Sequence, residues 1–141
     1  MKSSYSSLEI SHYPVMLKEV VEACSLQKGG NYVDCTFGGG GYTKEILKIS
    51  STKVIALDRD AHVKERVDEL KKKYGNRFSF YNKKFSELDK VLSKENKVDA
   101  IIFDLGLSSF QLKDMDRGFS FKSKEKIDMS MGLTDLSAEK I

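Results

Sequence analysis

The chain has 141 residues, of which 40% are hydrophobic and 32% charged, with a net charge of +3, values that describe one ordinary water-soluble globular domain. Two cysteines, Cys24 and Cys35, and two histidines, His12 and His62, lack metal-site spacing, so neither a structural metal nor a disulfide framework is expected. No apolar stretch approaches the ~20 residues that span a bilayer, and the polar N-terminus MKSSYSSLEI lacks a secretion signal, so the cytoplasm is the expected compartment and no membrane partner is expected.

Residues 1–11 are serine-rich and read as a loose tail. From Pro14, the apolar positions Leu17, Val20, Val21 and Cys24 recur at helical spacing; Pro14 suits a helix start, and Gly29-Gly30 suit the connection beyond its end. Residues 31–37 (NYVDCTF) predict a strand, 43–49 a short helix, and 53–58 (KVIALD) a near-continuous apolar run of the kind covered on both faces of a sheet. Val63, Val67, Leu70 and Tyr74 mark one face of a helix closed by Gly75. A third strand is expected over 77–81 and a fourth over 98–104. Between them, Ser86-Glu87-Leu88-Asp89 resembles a capping box opening a helix that carries Leu88, Val91 and Leu92.

Strands separated by helical crossovers predict a parallel sheet with helices on both faces. Right-handed crossovers bring the carboxyl ends of such strands to one edge, where ligands bind. After Asp104 the strand periodicity ceases, and residues 136–141 look like the first turn of a helix. Four strands with nothing closing the far edge make a thin sheet, so the chain looks interrupted.

The most informative stretch is Asp34-Cys35-Thr36-Phe37 followed by Gly38, Gly39, Gly40 and Gly41. A strand, a glycine-rich turn and a helix N-terminus bring backbone N–H groups close to a ligand. The dinucleotide fingerprint GxGxxG fails in either register, because its last position falls on Thr43 or Lys44. The phosphate-gripping GxxxxGK[ST] fails because Tyr42 follows Gly41. An acidic strand end followed by small residues resembles instead the first motif of S-adenosylmethionine-dependent methyltransferases. A loose turn would leave Asp58 unexplained: it ends the second strand 17 residues after Gly41, close to the spacing of about 20 at which an acid holds a ribose. Phe85, after the third strand, can flank an adenine ring or simply serve the core. Asp104-Leu105-Gly106 ends the fourth strand, where enzymes that methylate exocyclic amines carry an Asp, Asn or Ser, usually followed by two prolines that this chain lacks.

Six linked motifs then occur in order: HYPVML from His12, the glycine turn, Leu57-Asp58-Arg59-Asp60, Phe85-Ser86, Asp104 to Ser109, and Arg117-Gly118-Phe119-Ser120-Phe121 with Asp128-Met129-Ser130-Met131. Together they closely resemble the RsmH (MraW) family, bacterial methyltransferases that modify the N4 amine of a cytosine in small-subunit (16S) ribosomal RNA. The resemblance runs from about residue 10 to the end.

It implies a Rossmann-like class I S-adenosylmethionine-dependent methyltransferase fold, truncated after the fourth strand, with residues 12–104 as the cofactor-binding core. Residues 105–141 would begin a helical substrate-recognition insertion. It implies that Gly40, Gly41 and Tyr42 line the cofactor pocket, that Asp58 holds the ribose, and that Phe85, Asp104 and Gln111 complete the S-adenosylmethionine site. Ribosomal RNA is the implied partner, and no metal is implied. No residue is assigned as catalytic base; Asp104 or a carbonyl near Leu105-Gly106 is the candidate acceptor for the amine N–H. Tyr42 stands where the family often has histidine, and Phe110 replaces a frequent proline. Family members continue beyond a point equivalent to Ile141, so a truncated gene, a split protein or a partial product is expected. The alternative function is an S-adenosylmethionine-binding remnant without catalysis. A small-molecule methyltransferase is disfavoured by the RGFSF and DMSM segments.

Overall fold

The computed structural model describes residues 14–124, 126–134 and 136–140. The expected tail 1–11 and the His12-Tyr13 part of the first motif lie outside them. In chain order the elements are α1 (Leu17–Ala23), β1 (Asn31–Asp34), α2 (Gly41–Lys48), β2 (Lys53–Asp58), α3 (Lys64–Tyr74), β3 (Phe78–Asn82), α4 (Leu88–Val91), β4 (Ala100–Ile102) and α5 (Ser109–Lys113). Short 3-10 turns precede α3 at Ala61–Val63, precede α4 at Phe85–Glu87, and follow α5 at Met115–Arg117.

The strands form one parallel sheet in the order β3-β2-β1-β4. Tyr32 pairs with Val54 on one side and with Ala100 on the other, so β1 is central. Because β4 crosses to the far side of β1, the strand order reverses between these two, which opens a crevice beyond their carboxyl ends. Side chains alternate across the sheet. Tyr32, Val54, Ala56, Phe78 and Ile102 point to one face, under Leu17 of α1, Ile46 and Leu47 of α2, and Val67 and Leu70 of α3. Val33, Cys35 and Leu57 point to the other, where Leu88 and Val91 of α4 cover them together with Leu92 and Val98. Helices therefore flank both faces of a Rossmann-like sheet, as expected.

Several boundaries differ from the sequence expectation for local reasons. The β1 ladder ends at Asp34 because its carboxylate accepts hydrogen bonds from Thr36 N–H (3.3 Å) and from the Thr43 hydroxyl (2.7 Å), turning the chain. β4 is shorter than 98–104 because Asp99 is used as a bracket. Its carboxylate accepts from Asn31 N–H (2.8 Å) and from the Gln27 amide (2.9 Å). The capping box expected at Ser86 is displaced: Glu87 accepts from Lys84 N–H (3.3 Å), and the turn begins at Phe85. Pro14 does not open α1, which starts at Leu17 after Met16 in a left-handed conformation (φ 51°). Pro14 packs instead against the start of α2.

Candidate functional site

The three acids at the carboxyl ends of β1, β2 and β4 lie around the crevice but have different environments. Asp34 is fully buried and has no cation beside it in its hydrogen bonds; burial, with smaller contributions from Asp58 and Asp104, lifts its pKa from 3.8 to about 6. Asp58 reaches the cleft with one carboxylate oxygen accepting from Gly38 N–H (2.7 Å) and the other from Asp60 N–H (2.8 Å). Burial also raises its pKa, against the lowering effect of those two N–H groups. Each oxygen keeps a second lone pair for a ligand hydroxyl. Asp104 is exposed; its N–H donates to Thr36 Oγ1 (2.7 Å), which fixes the chain as it leaves β4.

These elements enclose a cleft of about 860 Å³, within the range of small-ligand sites. Gly38, Gly39, Gly41, Tyr42, Asp58, Phe85, Asp104 and Gln111 all line it. Gly40, expected beside the ligand, does not. It has φ 72°, and a Cβ there would come within 2.9 Å of Phe37 Cζ, so its missing side chain serves the core beneath the turn. At Gly41 a Cβ would collide with Pro14, which forms part of the cleft wall.

Tyr42 is buried, and its hydroxyl donates to Val15 O (2.6 Å) with Asp104 Oδ2 at 3.2 Å. Burial first, then the Asp104 charge, push its pKa up to about 12, so the phenol remains a proton donor. The residue thus contributes a side-chain anchor to the cleft wall. Phe85 is 45% exposed and meets Phe103 edge to face at 5.7 Å between ring centroids, which leaves a flat apolar surface in the cleft. Gln111 is buried with both ends of its amide engaged. Nε2 donates to Asp60 Oδ2 (3.0 Å), and Oε1 accepts from Ser108 N–H (2.9 Å) in the capping box of α5.

Asp60 was not foreseen. Only 4% exposed, it accepts from Gln111, from Arg117 Nη1 (2.6 Å) and from His62 N–H (3.1 Å). Burial would raise its pKa, but the bonds from Gln111, Arg117 and His62 outweigh this and hold it at about 2. The available signal was Arg117 in the RGFSF motif, because an arginine drawn into a packed site needs an anion. Arg66 was also missed. Its guanidinium lies 4.1 Å from the Phe110 ring centroid, and Nε donates to Gly38 O (3.2 Å), bracing the glycine turn. Among the described residues, no group of three or more His, Cys, Asp or Glu could hold a metal ion, and no helix is long and apolar enough to cross a membrane.

A parallel sheet with a glycine-rich turn after β1 and an acid ending β2 is the architecture of Rossmann-like nucleotide-cofactor folds, methyltransferases among them. The model of the MraW methylase family matches residues 9–141, and the chain belongs to that family. Among similar proteins is the ribosomal RNA small subunit methyltransferase H of Rickettsia massiliae (strain Mtu5), 50% identical over 129 residues, which cover 92% of this chain and 42% of the relative. The proteins of the same name from Rickettsia canadensis (strain McKiel) and Ehrlichia canis (strain Jake) are 46% identical over 132 residues and 44% over 126. The chain thus spans 42% of the length of these curated relatives.

Proposed function

We propose that the protein binds S-adenosylmethionine in this cleft and takes part in methylating the N4 amine of a cytosine in small-subunit ribosomal RNA, in the cytoplasm. The observation that carries the reading is Asp58. It is a carboxylate at the end of β2, aimed by Gly38 N–H and Asp60 N–H into a cleft walled by bare glycine backbone. A paired acceptor of this kind suits a ribose diol. Phe85 offers the flat face for the base, and Gly38, Gly39 and Gly41 allow close backbone approach. The names of the relatives support ribosomal RNA as the substrate class.

The cofactor supplies a methyl group on a sulfonium, already a good leaving group, which leaves the protein chiefly the task of positioning. Asp104 stands at the carboxyl end of β4 with its backbone tied to Thr36, where its carboxylate can accept an N–H of the incoming amine. Drawing on that N–H favours the pyramidal nitrogen needed for attack. The Tyr42 hydroxyl lies 3.2 Å from Asp104 Oδ2 but gives its one proton to Val15 O at 2.6 Å, so the tie to Thr36 is what fixes Asp104. The target base has to leave its stack to enter, at a cost of a few kcal/mol.

Titration calorimetry tests the cofactor site. Asp58→Ala is expected to weaken S-adenosylmethionine binding more than tenfold, because each charge-assisted hydrogen bond lost contributes about 1.5–3 kcal/mol. Unchanged affinity removes Asp58 from the site. Binding without methyl transfer is a second reading, because Asp58 and the bare glycine turn account for binding by themselves. Incubation with undermethylated small subunits and methyl-labelled cofactor separates the two: label in N4-methylcytidine supports transfer, and binding without label supports the second.

A further inference from the structure

We infer that Asp60 is a positioning residue that joins the cofactor wall of the cleft to the segment 108–132, so that ligand binding at Asp58 and docking of that segment are coupled. The inference rests on the cofactor reading above. Asp60 touches both sides. Its N–H holds Asp58 Oδ1 (2.8 Å), while its own Oδ2 receives Arg117 Nη1 (2.6 Å) and Gln111 Nε2 (3.0 Å). Arg117 then reaches onward, with Nη2 on Ser130 O (2.8 Å). A parallel link runs from Arg59 Nη2 to Gly132 O (3.1 Å), where the backbones pack so closely that a Cβ on Gly132 would stand 2.6 Å from Arg59 O.

Arg66 stacked on Phe110 (4.1 Å) also holds the start of the segment, but few buried apolar side chains secure it. Gln111 is its one buried side chain among the described residues, while Leu112, Met115, Phe121, Ile127 and Met129 are exposed. A segment with so few buried apolar contacts belongs to the low-stability end of a fold, and polar links decide its position. The Asp60–Arg117 pair suits that task because both side chains are largely out of solvent, at 5% and 11% exposure. Removing either charge leaves the other buried and unpaired. Gln111, Asp114, Arg117 and Met131 line the same cleft as Asp58. A ligand touching both walls favours the docked arrangement, and by linkage the docked segment favours the ligand.

The test is amide hydrogen exchange, read by mass spectrometry with and without S-adenosylmethionine, on the native protein and on Asp60→Asn, Arg117→Lys and Arg117→Met. Asparagine keeps the size of Asp60 and its cap on the 61–63 turn but not its charge. In the native protein, the cofactor should slow exchange across 108–132 at least tenfold. In Asp60→Asn, affinity should fall about tenfold and that protection should vanish, while peptides of β1 and β2 stay protected. Arg117→Lys should retain part of the protection and Arg117→Met none; these two carry the comparison if Asp60→Asn does not fold. Full cofactor-dependent protection of 108–132 in Asp60→Asn or Arg117→Met overturns the inference. So does native binding that leaves 108–132 unchanged, and the cofactor reading survives either result. Absence of native binding overturns both.

Discussion

Asp34 offers the sharpest test of the electrostatics beneath the glycine turn. It is a fully buried carboxylate whose hydrogen-bond donors are a hydroxyl and a backbone N–H. Its pKa is about 6 in the fold against an ordinary 3.8. Between those values the native state holds a proton that the unfolded chain has released, so this group's contribution to stability falls as pH rises through the window and is level above it. At about 1.4 kcal/mol per pH unit, the interval from 3.8 to about 6 sets a ceiling of about 3 kcal/mol on the cost of the charge at neutral pH.

Asp34→Asn removes the charge without emptying the site. The amide oxygen can keep Thr36 N–H, and the amide nitrogen can donate to Thr43 Oγ1, which accepts as readily as it donates. The chain has no tryptophan, so urea unfolding is best followed by far-ultraviolet circular dichroism. The variant should be more stable than the native protein by about 1–3 kcal/mol at neutral pH, with the difference shrinking toward zero near pH ~4. A difference constant across that range, or a variant less stable at neutral pH, would refute the reasoning.

Gly40→Ala combines left-handed strain at φ 72° with a Cβ 2.9 Å from Phe37, whose ring is packed against Phe78 and Phe80. A loss of about 2–4 kcal/mol is expected in thermal or urea unfolding, and a loss below ~0.5 kcal/mol would show that the turn relaxes freely. Burial, aided by the Asp34 charge, pushes the Cys35 thiol up to about 11. Native protein treated with iodoacetamide near pH ~8 should therefore remain unmodified at Cys35, whereas unfolded protein reacts; ready native alkylation, read by mass spectrometry, would contradict the burial.

The parallel sheet was legible because each strand is an apolar run between helical periodicities. β2 was readable to its ends, since Lys53 and Asp58 bound an unbroken apolar interior. The position of Asp58 followed from the end of β2 alone, whereas Asp104 stands beyond Ile102, where the β4 ladder ends. Gly40 shows where local reading stops. Nothing in a row of four glycines distinguishes the one facing Phe37 and Leu70 from its neighbours that face the cleft. Asp60 was hidden for a different reason. Its partners Gln111 and Arg117 lie 51 and 57 residues along the chain, in a stretch without strong periodicity. The expected capping residue Ser86 lost to Glu87 acting from inside the turn, a choice that spacing alone does not make.

The contact between Pro14 and Gly41 ties the evolutionary freedom of two distant positions together. Any side chain acquired at 41 must displace the proline ring, and with it the chain that presents Val15 O to Tyr42. Substitution at 41 is tolerable only after the entry segment has been rerouted, so the two sites drift together or not at all. A fusion partner or purification tag attached upstream has to respect the same constraint, because the first described residues are already part of the cleft wall.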